Sequence, residues 1–60
     1  MVATESEIQD IVDVMLAYFP DKSLLLNMVE EVWVDVGVVT DNVSLRETVL
    51  GIKMEIEERD

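Results

Sequence analysis

The chain has 60 residues, which is one domain at most, and a domain this small buries only about 60% of the surface that its unfolded form exposes. Fourteen acidic side chains against four basic ones give a net charge of −10 at pH 7, which repels phosphate backbones and anionic lipid headgroups and argues against direct nucleic-acid or membrane binding. Half of the residues are hydrophobic and none is cysteine, so a disulfide framework and thiolate metal sites are excluded and packing must stabilise the fold.

The N-terminal sequence Met1-Val2-Ala3-Thr4-Glu5-Ser6-Glu7 lacks the basic region of a signal peptide, and no apolar run approaches the roughly 20 residues that span a bilayer. The expectation is a cytoplasmic protein.

Thr4-x-x-Glu7 reads as a capping box that opens a first helix. Ile8, Ile11, Val12, Met15 and Phe19 follow at helical spacing, while Glu7, Asp10 and Asp13 turn mainly away. Pro20 lacks an amide hydrogen and restricts Phe19, so the helix should stop near Tyr18.

Asp21-Lys22-Ser23 is a turn with two candidate caps for a second helix, whose apolar set is Leu25, Met28, Val29, Val32 and Val36. The consecutive Leu24, Leu25 and Leu26 suggest that this helix lies centrally between two neighbours. Gly37 suits the left-handed position that ends a helix. The run from Val32 to Val39 is rich in β-branched residues and carries a competing strand reading. Glu30, Glu31 and Asp35 on one polar side favour helix to about Val36.

Thr40-Asp41-Asn42 reads as a turn and Ser44-x-x-Glu47 as a second capping box. Leu45, Val49, Ile52 and Ile56 then recur at spacings that resemble a coiled-coil seam. Gly51 beside that seam costs helix propensity and would be explained by close approach of another backbone. Glu55 to Asp60 is a charged end expected to fray.

The expected fold is therefore all-α, a single small bundle of about three helices completed by self-association, with an α+β alternative containing a strand near 32–39.

Histidine and cysteine are both absent, which leaves carboxylates alone for acid–base chemistry and too small a core to host a substrate pocket. No catalytic residue, cofactor or metal is expected. Asp35, Asp41, Asn42 and Glu47 surround the central turn without the alternating ligands of a calcium loop, and capping explains them better. The pairs Glu30-Glu31 and Glu57-Glu58 read as solvated faces, and Met15, Met28 and Met54 as core filler. Trp33 and Tyr18 are candidate interface anchors, because large aromatics with a polar handle concentrate at contact hot spots. Trp33 reads equally well as a cap on the core beside Val29 and Val36.

The stretch Asp41-Asn42-Val43-Ser44-Leu45-Arg46-Glu47, with Leu50-Gly51-Ile52 and Met54-Glu55, resembles the loop before the second helix of acyl carrier proteins. That family is an acidic helical bundle carrying phosphopantetheine on a serine, but Lys53 stands where its Asp-Ser pair would be. Phe19-Pro20 after Met15 resembles, in part, the Met-Phe-Pro element of ubiquitin-binding CUE domains. Neither resemblance assigns a functional residue here.

These features give the expectation of a non-enzymatic interaction or regulatory module, acidic and self-associating as a homodimer or higher homo-oligomer. Its protein partner would carry a basic surface. The expected interface residues are Trp33, Tyr18, Leu45, Val49, Ile52 and Ile56. The alternatives are an acidic inhibitor that mimics nucleic acid toward a DNA-binding protein, and a degenerate carrier-like domain.

Overall fold

The computed structural model describes residues 3–59, which form α1 (Glu5–Tyr18), α2 (Lys22–Val39) and α3 (Val43–Glu58). No strand occurs among the described residues, and 32–39 is helical throughout. The β-branched residues there cost a few tenths of a kcal/mol each in helix propensity, roughly. Burial of Val29 and partial burial of Trp33 and Val36 on the core side of the same helix offset that cost.

The caps set the helix boundaries. At α1 the Thr4 hydroxyl accepts from the Glu7 amide at 3.1 Å, and the Glu7 carboxylate accepts from the Thr4 amide at 2.9 Å, as the capping box requires. The hydrogen bond from the Thr4 amide, then that from its side chain, hold the Glu7 carboxyl below its ordinary pKa. Because the folded pKa is lowered, this contribution is present above the unfolded value and is lost as pH falls through the folded one. The α1 helix ends at Tyr18, immediately before Phe19-Pro20.

Asp21 caps α2, its carboxylate accepting from the Leu24 amide at 3.1 Å. Gly37 does not end this helix, which runs on to Val39 with Gly37 outside the left-handed region. Extended Thr40 closes it instead, donating its amide to the Val36 carbonyl, while its hydroxyl accepts from the Asn42 amide and turns the chain.

Ser44 is likewise not a cap. Asn42, an equally good capping residue two positions earlier, accepts from the Leu45 amide at 3.0 Å and starts α3 at Val43. The C-terminal end does not fray at Glu55, because helix persists to Glu58 and Arg59 ties it down. The Arg59 guanidinium donates to Glu55 at 2.8 Å and to Asp13 of α1 at 2.6 Å, which raises its pKa, Glu55 more than Asp13. The Lys22 ammonium donates to the carbonyls of Glu57 and Arg59. Asp60 lies outside the described residues.

These contacts fix the topology. Ala3 meets Thr48 and Asp13 meets Arg59, so α1 runs parallel to α3; Lys22 meets the end of α3 and Gly37 lies beside Arg46, so α2 runs antiparallel to it. The middle helix of the bundle is α3 rather than α2, since it packs on both of the others while they touch each other little. The leucine triplet divides accordingly: Leu25 is buried, Leu26 packs at the core margin, and Leu24 stays half exposed.

Ile8, Val12, Leu25, Val29, Val49 and Ile56 form the core, ringed by Ala3, Met15, Leu16, Leu26, Trp33, Val36 and Ile52. Gly51 serves this packing, because a Cβ there would lie 2.6 Å from Cδ1 of Ile8. What approaches this glycine is the Ile8 side chain of α1 within the same chain, and not another backbone.

Gly37 has no such constraint. A Cβ there meets only the Arg46 side chain, at an ordinary 3.8 Å. Gly37→Ala is therefore expected to stabilise the fold by up to about 1 kcal/mol, raising Tm by about 4–8 °C in a thermal melt. A lowered Tm would mean that the α2 backbone at this point is not regular helix.

Candidate functional site

The residues expected at an interface are not brought together. Val49 and Ile56 lie in the core, Ile52 packs against it, and Leu45 is the exposed member of the seam. The seam is largely the means by which α3 holds α1 and α2. Trp33 packs at the core margin, with the Arg46 guanidinium 5.2 Å from its ring centroid in a cation–π contact on the α2–α3 side. Tyr18 is 78% exposed at the end of α1, on a different part of the surface.

A different apolar surface emerges. On α1, the Gln9 carbonyl and the Asp13 carboxylate reach Arg59 and mark the edge of the core stripe nearest α3. Ile11, Val14 and Tyr18, spaced by three and four residues, lie on the opposite edge and are exposed. On α2, Lys22, Trp33 and Gly37 border α3 through their contacts with the end of α3 and with Arg46. Leu24, Met28 and Val32, spaced by four residues, occupy the other edge at 48%, 45% and 49% exposure.

Both edges turn away from α3, and they border the side of the molecule where α1 and α2 make few contacts. A shallow hollow of about 310 Å³ lined by Asp10, Ile11, Val14 and Met15 opens on the α1 half of this face. Met28 was expected in the core but lies on this surface, and Met54 is also exposed. A smaller exposed group, Val38, Val39 and Val43, sits at the turn between α2 and α3.

The charges are distributed unevenly around the face. Glu7, whose carboxylate also caps α1, and Asp10 stand one helical turn before Ile11 and Val14 on the same side of α1, and Glu31 and Asp35 stand three residues after Met28 and Val32, so acids adjoin both apolar edges. The basic residues are elsewhere: Arg46 and Lys53 are on α3, Arg59 caps it, and Lys22 binds its last carbonyls. Among the described residues only Asp13 and Glu55 form ion pairs, both with Arg59.

Most of the acids among the described residues thus lie outside any ion pair and repel one another, and added salt screens such repulsion over a Debye length of about 10 Å at 0.1 M. Tm is expected to rise as sodium chloride is added. A flat or falling Tm would show that the acids are too far apart to matter.

No helix among the described residues is long and apolar enough to cross a membrane. No family model matches the chain, and comparisons with curated proteins and with solved structures likewise find no match.

Proposed function

We propose that this chain is a non-enzymatic protein-interaction module that engages another polypeptide through the α1–α2 face. The observation that carries the reading is the pair of exposed apolar edges, Ile11–Val14–Tyr18 and Leu24–Met28–Val32, framed by acids on the side of the bundle that α3 leaves open. Contiguous apolar surface on a small domain marks contact sites more often than chance exposure does. Apolar contact would supply affinity, and the acidic margins would select and steer the partner.

The carboxylates give little support to a catalytic reading. Among the described residues no acid is fully buried, and Glu55, which is largely covered, is paired with Arg59, whereas a general acid needs unpaired apolar surroundings to raise its pKa toward neutrality.

A photo-crosslinking residue placed at Met28 tests the proposal in extracts of the protein's own cells, with one at exposed Ser23, outside the face, as control. Discrete adducts are expected from position 28 and not from position 23. Equal labelling from both, or none from either, would overturn the proposal.

A further inference from the structure

Resting on that reading, we propose that the occupant of the α1–α2 face is a cationic amphipathic helix of another protein, rather than a second copy of this chain. Charge complementarity favours that occupant. Glu7 and Asp10 border the face along α1, Glu31 and Asp35 border it along α2, and all four basic side chains are directed to α3 or carried on it.

A two-fold pairing of this face would set one copy's acidic margins against those of the other, on chains that each carry a charge of −10. Like charges in apposition oppose such a contact. The seam of α3 offers copies no better route, since Val49 and Ile56 are used within the chain.

A helix fits the dimensions as well as the charge. The 18 residues of α2 run for about 27 Å at 1.5 Å per residue, and Leu24, Met28 and Val32 occupy about 12 Å of that length, two turns of a partner helix. A partner helix lying along it would place an apolar ridge, repeating every three to four residues, over Met28, Val32 and the hollow beside Ile11 and Val14. Lysines or arginines on the flanks of that ridge would reach the two acidic margins.

The test is fluorescence anisotropy of a labelled synthetic peptide titrated with the intact chain. The probe has about 18 residues, with leucine at helical i, i+3, i+4, i+7 spacing and lysine at the remaining positions. One control peptide has the same composition in scrambled order, and another has glutamate in place of lysine. Saturable one-to-one binding of the probe is expected, with both controls weaker by at least about ten-fold.

Met28→Ser combined with Val32→Ser should weaken the probe by at least about ten-fold with unchanged circular dichroism, and Glu31→Lys with Asp35→Lys by several-fold. Equal binding of the scrambled peptide would reduce the effect to charge alone and overturn the inference. Equal binding of the glutamate peptide would remove charge complementarity and do the same.

Sedimentation equilibrium of the chain alone should show a monomer. A dimer that the Met28→Ser and Val32→Ser pair dissociates would make a second copy the occupant, overturning the inference while leaving an interaction module. Failure of every peptide alongside discrete adducts at position 28 would likewise remove the partner class and keep the interaction reading. Failure of both measurements would remove both.

Discussion

Leu25→Ala is expected to cost about 2–5 kcal/mol, the range for truncating a leucine in a packed interior. Leu25 is 2% exposed and sits among Val12, Val29, Val49 and Ile56, where the backbones of three helices limit collapse into the cavity. A chain of 60 residues has a total stability of roughly 3–9 kcal/mol at the usual per-residue values, so the loss is a large fraction of the whole. Urea titration followed by circular dichroism should show the midpoint displaced far toward water, or no folded baseline.

Leu24→Ala, one residue earlier, provides the contrast. It removes a half-exposed side chain from the open face and should cost under about 1 kcal/mol. Equal losses at the two positions would contradict the division of the leucine triplet between core and surface.

Ile56→Asp is expected to abolish folding at neutral pH. The side chain of Ile56 is fully buried, so a carboxylate there would be cut off from water among apolar core side chains. Leaving a charge unpaired in the interior costs about 3–5 kcal/mol or more. Burial raises the pKa of such a carboxyl in the folded state, so the neutral acid is the form the fold tolerates. Structure should therefore return in part as pH falls below that raised value.

Acidification also relieves repulsion among the native carboxylates, and Ile56→Asn separates the two effects. The asparagine variant has no charge to neutralise at position 56 and should regain less helix on acidification than the aspartate variant. Equal recovery would assign the rescue to the surface acids. A fully folded Ile56→Asp at neutral pH would show that α3 does not bury this position.

The helices were legible in the sequence where a terminal signal had no competitor. The Thr4–Glu7 capping box and Phe19-Pro20 bound α1 because a reciprocal cap and a missing amide hydrogen leave little choice. Gly37 and Ser44 misled for the opposite reason. Thr40 and Asn42 were nearby and competent, so the chain capped there and left glycine and serine inside helices. The valine run shows tertiary burial overriding local preference, as one side of α2 gains the core contacts of Val29, Trp33 and Val36.

The candidate surface was harder to read because each helix carries more apolar positions than one core stripe can use. Periodicity shows that Leu45, Val49, Ile52 and Ile56 share a face, but not whether that face meets another copy or the chain's own helices. That depends on which helix lies between the others, a property of the assembled bundle. With α3 in the middle, its seam turned inward and apolar edges of α1 and α2 were left outside. Met28 is the clearest case, since its spacing from Val32 fits a core stripe and only the position of α3 places it on the surface.

The most direct test of the α1–α2 face as the binding surface is residue-resolved amide NMR of the isotope-labelled chain as the lysine–leucine helix is added. Shift changes are expected to concentrate at Ile11, Val14 and Tyr18 and at Leu24, Met28 and Val32, with the outward residues Glu47 and Leu50 of α3 unmoved. Changes centred on α3 or around Trp33, with the α1–α2 face silent, would contradict that expectation.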